Sequence, residues 1–153
     1  MNQNNSESAL KASLAAFETS LATPIVSGEL AEWIEAVQKT WTEASAQLHY
    51  QVKHRHPQQY EQISKEDPEL LPRVEQLQAE DRAIEEEREK LSHTVSRTTQ
   101  HAPKLEPDEG KAQQHTKKLV DEGMAFIARV RKQEVAIETW FVEAFNRDRG
   151  AVD

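Results

Sequence analysis

Apolar residues recur along this chain at spacings of three and four, the period of a helix buried on one side. Leu10, Leu14, Phe17 and Leu21 make a first stripe, and the spacing predicts a helix over residues 6–22, with Ser6 as cap. Pro24 and Ser27-Gly28 then break the chain. A second helix is predicted from Glu29 to the 54–57 region, burying Leu30, Ile34, Val37, Trp41, Ala44 and Leu48, with Trp33 on the flank. Pro57 forces a kink or restart there, and Tyr60 and Ile63 form a short apolar continuation. Asp67-Pro68 reads as a cap followed by a first helical residue, which opens a third helix running to about Thr99. The prolines and glycine of 101–110 predict a loop, and a fourth helix follows over 107–146, with Gly150 as a stop signal. No segment alternates with period two. The expected fold is all-α, an up-down-up-down antiparallel four-helix bundle over residues 6–148, with a disordered start at 1–5 and a tail at 149–153.

The two long stripes contain polar interruptions. The third helix reads Val74, Leu77, Asp81, Ile84, Arg88, Leu91, Val95, a strict seven-residue repeat with an acid and a base at core positions. The fourth reads Leu119, Gly123, Phe126, Val130, Gln133, Ile137, Trp140, Ala144, with Glu134 and Glu138 at its edge. On the second helix, His49 and Lys53 lie one turn apart beside Leu48 and Val52. A polar group at a core position is costly unless partnered, so three interrupted helices point to one shared interior cluster.

Composition narrows the chemistry. The 153 residues suffice for one domain with a substantial core. With 19 basic and 27 acidic residues the net charge is −8, the wrong sign for a non-specific nucleic-acid binder. The absence of cysteine excludes disulfides, thiolate metal sites and a cysteine nucleophile. There is no phosphate-binding glycine loop and no apolar run of membrane-spanning length, and a cytoplasmic protein is expected. His54 and His56, beside His49, could form a Zn²⁺ or Ni²⁺ cluster; the simpler expectation is a solvated helix end. His93, His101 and His115 are expected at the surface, as are the charged outer faces.

The stretch LHYQVKHRHPQQYEQISKEDPELLPRVEQLQAEDRAIEEEREKL and the ending RKQEVAIETWFVEAFNRDRGAVD resemble a hemerythrin-like domain, over roughly Glu29 to Asp153. That family's bundle holds two irons through histidines and carboxylates. By the resemblance, His49 falls on the second-helix histidine and Lys53 on a bridging glutamate. Asp81, after Glu80, replaces the third-helix histidine, and Leu77 stands where another would sit. Gln133, before Glu134, replaces the fourth-helix histidine, Glu138 keeps a final carboxylate, and the first helix has no histidine.

A lysine at a bridging position turns a ligand charge of −1 into +1 and repels a dication. The expectation is therefore a lost di-iron site and no cofactor, its place taken by a polar network of His49, Lys53, Asp81, Gln133 and Glu138. The protein would then be a non-catalytic binding protein with a protein or small-molecule partner, not nucleic acid or membrane, and an apolar strip on the longer helices could be covered by a second copy. The alternative is an oxygen or redox sensor holding iron or another divalent cation through a reduced set, His49, Asp81, Glu134 and Glu138.

Overall fold

A computed structural model describes residues 3–105 and 107–150, with side chains from Asn5 to Asn146 apart from Glu106. Five α-helices follow one another: α1 (Gln3–Ala22), α2 (Leu30–Tyr50), α3 (His56–Glu66), α4 (Leu71–Leu105) and α5 (Glu109–Gly150). A π turn, Gln51–Arg55, joins α2 to α3 in one rod, and a 3-10 turn, Pro68–Leu70, leads into α4. There are thus four rods and, among the described residues, no strand.

The stripes predicted from spacing are the buried faces. Leu10, Leu14, Phe17 and Leu21 of α1 are buried, as are Leu30, Trp33, Ile34, Val37, Trp41, Ala44 and Leu48 of α2. The rods pack in a ring, α1 on α2, α2 on α4, α4 on α5 and α5 back on α1. Trp41 is the aromatic hub, 5.1 Å from Phe17 and 5.3 Å edge-on from Phe126 by ring centroids. A Cβ at Gly123 would stand 2.5 Å from Leu21 Cδ1, so the missing side chain lets α5 approach α1 closely.

Helix ends follow local chemistry. Gly28, at φ 84°, takes the left-handed conformation that turns the chain between α1 and α2. Trp33 Nε1 donates to Thr23 O across that turn at 3.0 Å. Asp67 accepts from the Glu69 amide at 3.1 Å, the cap expected ahead of Pro68.

Several boundaries differ from the sequence reading. α1 reaches back to Gln3, into the segment expected to be disordered; Met1 and Asn2, and the tail residues 151–153, lie outside the described residues. α4 runs past Thr99 to Leu105 with Pro103 inside it, because Ala102 and Leu105 are buried in the core and repay the lost backbone bond. The loop to α5 is correspondingly short.

At Pro57 the second rod restarts: α2 gives way to the π turn, and α3 begins at His56 with the proline in its first turn. Within the π turn the His56 amide bonds the Gln51 carbonyl, five residues back instead of four. This wider turn absorbs the proline, which sits in the first turn of α3 and has no amide hydrogen to lose. The extra residue also rotates everything beyond it, and that rotation decides which side chains enter the interior.

Two apolar clusters result. The larger draws on α1, α2, α4 and α5. The smaller holds Tyr60, Ile63, Leu70, Val74, Leu77, Ile137 and Ala144, with Trp140, Phe141 and Phe145 packed against it. Among the described residues, α1 contributes none to the smaller cluster.

Candidate functional site

The polar positions of three rods meet beside the smaller cluster. The π turn directs His56 inward until its side chain is 1 % exposed. The heptad positions of α4 and α5 bring Asp81 and Gln133 to the same depth. Tyr60, one turn after His56, and Glu134, next to Gln133, complete the group.

Its geometry is that of a clamped imidazole. Both Asp81 carboxylate oxygens lie 3.0 Å from His56 Nδ1. Glu134 Oε1 lies 2.7 Å from Nε2, on the opposite edge of the ring. Tyr60 donates its hydroxyl to Asp81 Oδ2 at 2.6 Å. The Gln133 amide donates to Asp81 Oδ1 at 3.0 Å and to the Leu77 carbonyl at 2.8 Å. Asp81 thereby receives bonds from three side chains.

Protonation follows from the contacts. Burial alone would favour the neutral ring, but the hydrogen bonds it gives to Asp81 and Glu134, together with their charges, outweigh it and raise the His56 pKa to about 9. At neutral pH the ring is an imidazolium donating through both nitrogens. Burial, and then the Asp81 charge and hydrogen bond, push the Tyr60 phenol up, so it stays a neutral donor. One cation between two carboxylates, with a phenol and an amide filling the remaining acceptor positions, is a nearly saturated buried network.

Two of the five residues expected in the network, Asp81 and Gln133, belong to it; three do not. Lys53 is exposed on the outside of the π turn. Glu138 is exposed on α5, since the inward edge of that helix at this level is Glu134. His49 lies toward the outside between α2 and α4, with Nδ1 3.1 Å from Glu85 Oε2. Arg88, the other polar core position of α4, is part-buried there, donating to Glu85 at 2.9 Å and to Ser45 at 3.1 Å. Despite the opposing effect of burial, Arg88 and His49 hold the Glu85 carboxyl below its usual range.

His56 is the residue that sequence reasoning missed, having been assigned to a solvated helix end. His54 is exposed against Tyr50, so the two do not form a metal pair. His93, His101 and His115 are exposed as expected. A signal for His56 was present: the Tyr60–Ile63 stripe, extended back four residues, lands on it.

The donor set does not fit a di-iron centre. Iron needs an imidazole nitrogen turned toward an open position, and both His56 ring nitrogens already face carboxylates at hydrogen-bond distance. The carboxylates flank opposite edges of the ring and do not converge with it on one point. Of the reduced set His49, Asp81, Glu134 and Glu138, only Asp81 and Glu134 reach the interior. Among the described residues no group of three or more histidines and carboxylates is arranged to hold a metal ion, and no helix is long and apolar enough to cross a membrane. Comparison with known proteins matches this chain to no family model, no curated protein and no solved structure.

Proposed function

We propose that the chain is a hemerythrin-like bundle, its rods running up-down-up-down, whose di-iron site has given way to an ionic hydrogen-bonded network. It acts by binding a partner, not by catalysis, and works in the cytoplasm. The observation that carries the loss of metal is the His56 clamp. Its two ring nitrogens donate to Asp81 and Glu134, so the one histidine of the interior group has no lone pair to give a metal. Asp81, Gln133 and Glu134 stand where the resemblance puts the metal-site motifs of the third and fourth helices, and all three meet His56 or its partners. The paired order of contacts between rods supports the alternating direction. Trp41 donates to Ser92, Arg88 to Ser45, and His56 meets Asp81, one sequence rising as the other falls.

Elemental analysis of untagged protein tests this reading, before and after anaerobic incubation with Fe²⁺ and with an absorption spectrum. The expected result is no stoichiometric metal and an unfolding midpoint indifferent to chelator. About two irons per chain, the complement the resemblance implies, with an oxo-bridge band, would overturn it and restore oxygen or redox sensing.

A further inference from the structure

Gln51, the first residue of the π turn, is fully enclosed, yet neither oxygen nor nitrogen of its amide has a partner in the protein. A buried amide stripped of hydration without replacement bonds is strongly disfavoured, and native structures resolve such cases with an ordered occupant. The π turn also takes usual helical donors away from main-chain acceptors. The His56 amide bonds the Gln51 carbonyl, so Val52 loses the amide that an α-helix would offer its carbonyl. Lys53 would look to residue 57, a proline with no hydrogen to give. Gln59, two turns beyond Gln51, also has a buried side-chain oxygen without a protein partner.

The wide π turn keeps Gln51, Arg55 and Gln59 on one side of the rod. Arg55 fixes which side, because its guanidinium reaches Glu7 of α1 at 3.0 Å, and the π turn packs on α1. The polar edge therefore lies beneath the start of α1, one wide turn before the buried imidazolium. The chemistry selects the occupant. The nearby Arg55 cation disfavours a metal ion. The Gln51 amide itself is uncharged and offers both donors and an acceptor, which calls for no ion. A small neutral molecule that both donates and accepts fits, and water satisfies an enclosed amide without needing a larger cavity.

We propose that the π turn and the start of α1 enclose an internal hydration site, in which at least one ordered water bonds the Gln51 side-chain amide. The site stands independently of the function proposed above.

A high-resolution crystal structure tests it together with Gln51→Met, which keeps the length of the side chain and removes its polar atoms. The expected result is water density within hydrogen-bond distance of the Gln51 amide, absent in Gln51→Met, with the variant no more stable than the parent. Water cross-peaks from the Gln51 side-chain amide protons, recorded by NMR on the unmodified protein, give the same answer without a variant. A Gln51 amide bonded directly to protein groups would overturn the proposal. So would a dry amide with Gln51→Met raising Tm, since an unsatisfied group would then have been removed.

Discussion

The two ends of the bundle are built on different principles. Around Trp41, four rods enclose an apolar core in which Phe17 and Phe126 meet the Trp41 ring, tilted and edge-on, at centroid distances near 5 Å. Around Ile63, among the described residues, three rods without α1 share a smaller apolar cluster, bordered by the charged group at His56. The first end rests on area removed from water, which tolerates small rearrangements. The second rests on a few oriented bonds, whose loss leaves charges buried and unpaired. The difference shows how a thinner part of a bundle can fix its register: an ion held by partners on two other rods specifies where α3, α4 and α5 must stand.

Single substitutions break the comparison at either end. Asp81→Ala removes the acceptor shared by His56, Tyr60 and Gln133, and about 3–5 kcal/mol of stability should go with it by urea unfolding. Trp41→Ala should cost a similar amount, about 3–5 kcal/mol, by leaving a cavity. The discriminating feature is pH: the Trp41→Ala loss should be the same at pH 6 and pH 9, while the Asp81→Ala loss should shrink at the higher pH.

The sign follows from His56. Its folded pKa, about 9, exceeds the ordinary 6.5, so the folded state holds the proton more tightly. The stabilisation is complete below 6.5 and is lost as pH rises through about 9. Tm should therefore fall across that window in the parent protein, and His56→Gln should flatten that part of the profile while lowering Tm at pH 6.

Tyr60→Phe deletes one bond to Asp81 and leaves the clamp, for an expected cost of about 1 kcal/mol. His49→Ala, at the half-exposed pair with Glu85, should cost less than about 1 kcal/mol. The smallest effect sharpens the contrast between inside and outside. A lysine inside the interior network would make Lys53→Met far more costly than Lys132→Met on the surface; with both lysines exposed, the two stabilities should agree to within about 0.5 kcal/mol.

Legibility in the sequence divides at the π turn. The apolar stripes were readable except for the last turns of α4, because burial on one helix face imposes a period that few other arrangements produce. Asp81 and Gln133 were readable as buried polar residues because they occupy heptad positions in uninterrupted helices. His49 and Lys53 were misplaced because each stands beside the buried stripe and not on it, Leu48 and Gln51 taking the inward positions; His56 was missed because the structure inserts one residue before Pro57 and brings it inward. That insertion has no periodic signature; only the offset between the Leu48 and Tyr60 stripes hints at it. Glu134 and Glu138 lie on the same edge of α5, and only the position of the imidazole decides between them. Pro103 read as a boundary because local propensity was allowed to outvote burial of Ala102 and Leu105.

The central claim is that His56 is an imidazolium held at both nitrogens. Nitrogen-15 NMR of the histidine side chains at pH 7 tests it most directly. The account predicts that His56 shows two protonated ring nitrogens and loses the second proton only near pH 9. A His56 ring that is neutral at pH 7, with one bare nitrogen free or bound to metal, would contradict it.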